Sequence, residues 1–113
     1  MRDINNFRGD VGQQEMTVCN LAALQAAARY TNILSAELAK AESEGLGSFT
    51  LDVEEISQLA AELIRSNDIA PDDANICYTV RMAVRIIAKN RHKSYDMNSV
   101  RTGDGYVLVL TER

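Results

Sequence analysis

The stretch from Gln14 to Glu44 constrains the fold most, because it is long, rich in Ala and Leu, and free of Pro and Gly. Ala and Leu are strong helix formers, and the apolar residues recur at helical spacing. A single helix of this length would measure roughly 45 Å, which is more than a chain of 113 residues can cover by itself. We therefore expect either a break near residues 30–32 or a free face that packs on a second copy.

The flanks of this stretch set the domain limits. Residues 1–13 are polar and contain two glycines, and we expect a flexible arm there. Residues 14–113 suit a single domain in size. Within that domain we interpret residues 14–44 as a helical oligomerisation segment that forms a homodimer. Two glycines in "ESEGLGS" (42–48) end this segment, as a helix stop should.

Two further helices are expected downstream. "FTLD" (49–52) can form a short strand, and residues 53–67 show an amphipathic helical pattern. Pro71 suits a first helical position, which predicts a helix from there to about Asn90. On a helical wheel this last helix has two opposite faces, each within roughly 100° of arc. The apolar face contains Ile76, Val80, Ala83, Val84 and Ile87, and the opposite face contains Tyr78, Arg81, Arg85, Lys89 and His92.

The end of the chain predicts a β-hairpin. In "SVRTGDGYVLVL" (99–110) a Gly-rich turn separates two runs of β-forming residues, which is a strong hairpin signal. Val107 to Leu110 are too apolar for a free loop, so alternate side chains should pack on the preceding helix. Residues 90–98 are interpreted as a polar connection. The expected fold class is mainly α with a C-terminal β-hairpin, headed by a long N-terminal helix or helix pair.

Charge is distributed unevenly along the chain. The net charge is −4, and residues 1–70 hold 5 Lys and Arg against 11 Asp and Glu. Between Arg81 and Arg101 there are 6 basic residues and one acid. A basic stretch inside an acidic protein indicates a local surface feature: it can be a binding patch, a docking surface for the acidic half of another subunit, or a face that is simply solvated.

Catalytic and metal-binding patterns are not found in the sequence. Two isolated cysteines and one histidine do not supply the four ligands of a zinc site, and the sequence shows no motif that pairs a Ser or Thr nucleophile with a base. We therefore expect a protein that is not an enzyme and that has no cofactor and no metal. No apolar run is long enough to span a membrane, and the polar first residues do not resemble a signal peptide, so we expect a cytoplasmic protein without membrane contact.

The segment "VRMAVRIIAKNRHKSYDMNSVRTGDGYVLVL" (80–110) resembles the end of the winged-helix output domain of two-component response regulators. That family shows a basic helix, a loop and a hairpin ending in "TVRG-x-GY-x-L". Residues 99–101 stand in for Thr-Val-Arg, and residues 105–108 stand in for Gly-Tyr-x-Leu, with one residue more in the turn. Upstream, "LDVEEISQL" (51–59) is similar to the "LT-x-x-E-x-x-L" helix opening. The resemblance implies a winged-helix-like part over residues 49–113.

The resemblance also implies a function. In winged-helix proteins the last helix enters the major groove of duplex DNA and the hairpin wing touches phosphate or minor groove. This implies a small transcriptional regulator that uses the basic helix (76–90) and the wing. The side chains expected to contact DNA are Arg81, Arg85, Lys89, His92, Lys93 and Arg101.

Two other functions stay open from the sequence. The first is a protein–protein adaptor or inhibitor, of the kind that mobile elements carry, which acts through its acidic half or through the hairpin edge. The second is a structural oligomer subunit built on the long helix.

Overall fold

The computed structural model describes residues 13–103 and 105–113. Its elements are, in chain order, α1 (Gln13–Ser43), β1 (Ser48–Asp52), α2 (Glu54–Arg65), α3 (Asp73–Asn90), β2 (Tyr95–Thr102) and β3 (Gly105–Glu112). The prediction of a mainly helical chain with a C-terminal β-hairpin is confirmed. Most of the predicted N-terminal arm lies outside the described residues, and Gln13 at its end already belongs to α1.

The first helix is unbroken through residues 30–32, so the break that was one of the two expectations does not occur. The other expectation, a free face that packs on a second copy, stays a prediction. Its 31 residues give a length of about 46 Å, comparable with the 51 Å long axis of the molecule. One face of α1 is buried along its length and consists mostly of alanines: Cys19, Ala22, Ala23, Ala26, Ala27, Leu34, Leu38 and Ala41.

All three described helices end in the same way, with a residue in the left-handed region just beyond the last turn. These residues are Gly45 (φ 70°), Asp68 (φ 62°) and His92 (φ 60°). After α1, the Leu46 N–H donates to the Ala41 carbonyl; after α3, the Lys93 N–H donates to the Ala88 carbonyl, both at 3.0 Å. This is the Schellman arrangement, which satisfies carbonyls that the helix end leaves free. Of the three residues, only Gly45 adopts the left-handed conformation without steric cost.

The start of α3 differs from the prediction. Pro71 is not the first helical residue, because Asp72 is the N-cap and the helix begins at Asp73. The Asp72 carboxylate accepts a hydrogen bond of 2.9 Å from the Asn75 N–H, which satisfies one of the free donors of the first turn.

The three strands form one antiparallel sheet in the order β1-β3-β2. The short strand at residues 48–52 is therefore an edge strand that pairs with β3, with Leu51 opposite Leu108 and Phe49 opposite Leu110. Leu108 and Leu110 are buried, while Val107 and Val109 are half-buried on the other face. The prediction that alternate residues of β3 pack inward is confirmed, but they join a core that α1, α2 and α3 share and do not pack on α3 alone.

The interpretation of residues 90–98 as a polar connection is wrong for its second half. Residues 95–98 belong to β2, which pairs with β3 along its whole length. Tyr95 is buried and meets Phe49 edge to face, with ring centroids 5.7 Å apart. Tyr95 and Met97 alternate with the polar Asp96, which is a strand pattern. The pattern is short and has polar neighbours, so it is difficult to recognise in the sequence.

No described helix is both long and apolar enough to cross a membrane.

The helix ends give a first prediction. Replacing His92 by Gly removes a side chain from a left-handed position and should raise the free energy of unfolding by about 0.5–1 kcal/mol, whereas Gly45→Ala should lower it by a similar amount. Urea denaturation followed by circular dichroism measures both. If the two variants shift stability in the same direction, the assigned helix ends are wrong.

Candidate nucleic-acid interface

The orientation of α3 is set by α1. The two helices run in the same direction: Cys19 lies against Asn75 near one end, and Glu42 forms an ion pair with Arg91 at the other, with 2.8 Å between Oε1 and Nη2. Ala23 and Ala26 of α1 and Ala83 of α3 are fully buried in the same core. Small side chains allow two helices to approach closely, and this packing turns the opposite face of α3 outward.

The buried face of α3 agrees with the predicted apolar face at most positions. Val80, Ala83, Val84 and Ile87 are buried as expected, while Ile76 is only half-buried. The sequence pattern did not indicate two polar members of this face. These are Thr79, whose hydroxyl donates to the Asn75 carbonyl (2.8 Å), and Asn75 itself, whose amide donates to the Ala70 carbonyl (2.7 Å).

The outward face of α3 presents three cations at spacings of four residues. Arg85 and Lys89 are exposed and Arg81 is half-buried. Among the described residues none of the three has an acidic partner within ion-pair distance. Residues i, i+4 and i+8 lie along one side of a helix, so these three form a stripe, which we call the α3 cationic stripe.

Tyr78 does not belong to this stripe, although the helical wheel placed it there. Its hydroxyl donates a hydrogen bond of 2.8 Å to the Asn20 side-chain oxygen. The ring therefore turns toward α1 and helps to hold the two helices together.

A groove of about 310 Å³ lies between the C-terminal half of α3 and the start of β2. Its floor includes Ala88, Tyr95 and Met97, and four cations surround it: Arg85, Lys89, Lys93 and Arg113. Two of the four already have partners. Lys93 lies 3.1 Å from Glu112, and Arg113 lies 2.7 Å from Asp96. The hydrogen bond from Lys93 to Glu112 raises the pKa of Lys93, which keeps it charged.

Arg113 is a cation of this groove that sequence reasoning missed. Pairing of Tyr95 with Glu112 in the sheet brings the chain end beside the start of β2, and the Arg113 N–H donates to the Ser94 carbonyl (3.2 Å). The register of the hairpin could have predicted this position, because residue 113 directly follows β3.

Arg101 lies apart from the other predicted contacts, at the opposite end of α3. Its Nη1 donates to the Asp73 carboxylate at 2.8 Å and to the Tyr106 hydroxyl at 3.3 Å. The guanidinium also stands over the Tyr106 ring, 5.3 Å from its centroid. The Tyr106 hydroxyl in turn donates a short hydrogen bond to Asp73. These three residues, which we call the wing clasp, tie the hairpin to the first turn of α3.

The wing clasp shifts the pKa values of its members. The hydrogen bond to Asp73 holds the proton on Tyr106, and together with burial and the negative charge of Asp73 it raises the pKa of Tyr106 to about 12. The same hydrogen bond, with the nearby Arg101 charge, lowers the pKa of Asp73. Asp73 therefore stays ionised at neutral pH, and its negative charge balances the positive charge of Arg101.

The base of the hairpin is acidic. Asp52 and Glu54 line the same surface hollow as Thr102 and Gly105, and a Cβ placed on Gly105 would lie 3.9 Å from Cγ of Glu54. These carboxylates and Asp73 make this side of the hairpin unfavourable for a phosphate. Asp104, at the predicted wing tip, lies outside the described residues.

The structure thus divides the six residues that were expected to contact DNA. Arg85, Lys89 and Lys93 meet at the basic groove, and Arg81 lies one turn before Arg85. His92 is exposed, and the structure gives it a backbone role at the end of α3. Arg101 is held in the wing clasp. Whether any of the six contacts DNA stays a prediction.

Within residues 13–103 and 105–113, no group of three or more His, Cys, Asp or Glu side chains is placed to hold a metal ion. No protein family, no curated protein and no solved structure matches this chain.

The wing clasp gives a second prediction. The ultraviolet absorbance of Tyr106 should titrate at a pKa of about 12, and Asp73→Asn should bring that pKa back toward the ordinary tyrosine value of about 10. The difference between the parent chain and Tyr106→Phe isolates this residue from the other tyrosines. Because the folded pKa exceeds the unfolded one, the stability that this contact supplies is complete below about pH 10 and is lost as pH rises to about 12. A Tyr106 that titrates at the ordinary pKa would contradict the geometry.

Proposed function

We propose that the protein binds duplex DNA through α3 and acts as a small transcriptional regulator of winged-helix type. The observation that carries this proposal is the α3 cationic stripe: a row of cations, two exposed and one half-buried, without ion-pair partners among the described residues, on the helix that directly precedes the hairpin. Long cationic side chains on one exposed helix face can neutralise phosphates, and Arg can read guanine with two hydrogen bonds. The resemblance of residues 80–110 to the end of winged-helix output domains supports the same interpretation.

In this proposal α3 makes the main contact with DNA, and the hairpin contributes little. Arg85 and Lys89 are free to approach phosphates, and Lys93 and Arg113 add positive charge at the same groove. Arg101 is already paired with Asp73, and the charge of that carboxylate would repel a phosphate. We therefore assign the main contribution to the exposed Arg85 and Lys89, with less from the half-buried Arg81 and little from Arg101.

A salt titration of binding to a mixed-sequence duplex tests this proposal. About four phosphate contacts predict a log–log slope of the association constant against salt near −3 to −4. Arg85→Ala and Lys89→Ala should each reduce the magnitude of that slope by roughly one, since each removes one phosphate contact.

Arg65→Ala is the matched control, because it removes one exposed cation from the end of α2, outside the α3 cationic stripe. It should leave the slope unchanged. Duplex DNA that stays unbound at low salt would overturn the proposal, and so would an Arg65 variant that weakens binding as much as the α3 variants do.

We also propose that two copies pair through the outward face of α1. Leu21 and Leu24 are 58% and 55% exposed on that face. No charged residue occurs between residues 16 and 28, so two copies of an acidic chain can approach here without like-charge repulsion. A two-fold axis brings the same patch of each copy together, and a helix of about 46 Å offers enough length for an interface of ordinary size.

Sedimentation equilibrium of the double variant Leu21→Glu/Leu24→Glu tests the pairing. The parent chain should sediment as a dimer and the variant as a monomer, because each interface would then bury four unpaired carboxylates. Leu46→Glu is the control: it changes an exposed leucine in the turn after α1 (42% exposed), and it should remain dimeric. A parent chain that is monomeric at high micromolar concentration would refute the pairing.

One observation favours the alternative of a protein–protein adaptor. The outer face of the sheet carries the exposed Val100 and the half-buried Val107 and Val109, and β2 is an edge strand that another strand can join. Failure of DNA binding, combined with capture of one protein by the parent chain and loss of that capture in Val100→Lys, would favour this function.

A further inference from the structure

A second groove, of about 390 Å³, lies between α1 and the start of α2, on a different side of α1 from Leu21 and Leu24. Its volume falls within the range of small-molecule sites in proteins, roughly 300–1,000 Å³. Its lining is Tyr30, Ile33, Leu34, Glu37, Asp52, Glu55 and Ile56. The groove is separate from the α3 cationic stripe and from the wing clasp, since it shares no residue with either.

The floor of this groove is apolar, and part of its apolar rim is exposed to water. Leu34 and Ile56 are buried at its base, and Tyr30 packs partly against the core. Ile33 is 58% exposed at the rim, although an isoleucine on a helix usually faces a core. An apolar body placed here would cover Ile33 and the ring of Tyr30.

The rim of the groove carries negative charge. Glu37, Asp52 and Glu55 are exposed, and among the described residues none of them has a basic partner within ion-pair distance. Asp52 uses one oxygen to accept the Glu54 N–H at the start of α2 (3.0 Å), which leaves its other oxygen available. Among the described residues, these carboxylates do not form a group of three that is placed to hold a metal ion.

We propose that this groove binds a lipophilic organic cation: a compound with an aromatic or aliphatic body and a delocalised or ammonium charge. The apolar floor takes the body, the Tyr30 ring adds an aromatic surface that can attract a cation, and the three carboxylates attract a cation and repel an anion of the same shape. The inference is independent of the proposed DNA contact, because no residue of α3 takes part.

Two probes of nearly identical shape and opposite charge test the inference on the full chain. Tetraphenylphosphonium should bind with one site per chain in calorimetric titration, and tetraphenylborate should bind at least tenfold more weakly. Apolar contact alone predicts equal binding of both probes, and that result would overturn the proposal, as would no binding of the cation.

Variants locate the site. Glu37→Gln and Glu55→Gln should each weaken binding of the cation by about three- to tenfold, an effect that salt reduces. Ile33→Ser should also weaken it, and because all three residues are exposed the fold should survive. Asp68→Asn is the control, since it removes one charge beyond the far end of α2 at a left-handed position that Asn tolerates; it should change affinity less than twofold. Loss of affinity in Asp68→Asn equal to that in Glu37→Gln would show a general charge effect and overturn the site.

Discussion

The contact between α1 and α3 is made mainly by small side chains, and the position of every other feature depends on it. Ala23 and Ala26 of α1 and Ala83 of α3 belong to one core, with no exposed surface at any of the three. The two helices are also joined at both ends, by Tyr78 with Asn20 and by Arg91 with Glu42. A larger side chain at any of these alanines would force the helices apart, because close-packed cores tolerate added volume poorly.

This contact fixes where the charges of the chain appear. Because α3 presents its alanine side to α1, Arg85 and Lys89 face outward beside the start of β2. The wing clasp holds the hairpin against the other end of α3, where Asp73, Asp52 and Glu54 gather. The unpaired cations Arg85 and Lys89 thus lie in the C-terminal half of α3, and the acidic cluster lies at its N-terminal end. In a chain of net charge −4, such separation restricts an anionic partner to one region and limits binding elsewhere.

Local patterns were enough to predict the helices and the hairpin. The run of Ala and Leu without Pro or Gly indicated α1, and the alternation in residues 107–110 indicated which side of β3 packs. Contacts between distant segments were not predicted. The pairing of β1 with β3 joins residues about 60 positions apart, and Arg101 meets Asp73 across 28 positions. A cation on a helical wheel or in a hairpin carries no sign of the carboxylate that folding brings beside it.

The same limit applies to the candidate site. The helical wheel correctly grouped Arg81, Arg85 and Lys89, because their spacing is a property of the helix alone. It placed Tyr78 with them, since a wheel of one helix contains no information about α1. His92 was expected on the surface and is exposed, but its left-handed backbone at the end of α3 follows from the Schellman turn, a conformation for which a histidine gives no distinctive signal.

We propose that the C-terminal half of α3, and not the hairpin, contacts DNA. Amide chemical shifts recorded during titration with a short duplex test this directly. We predict the largest changes between Arg81 and Lys93 and at Arg113, with small changes at Asp73, Arg101 and Tyr106. Chemical-shift changes confined to the wing clasp would contradict this proposal. No chemical-shift change with excess duplex at low salt would contradict it as well.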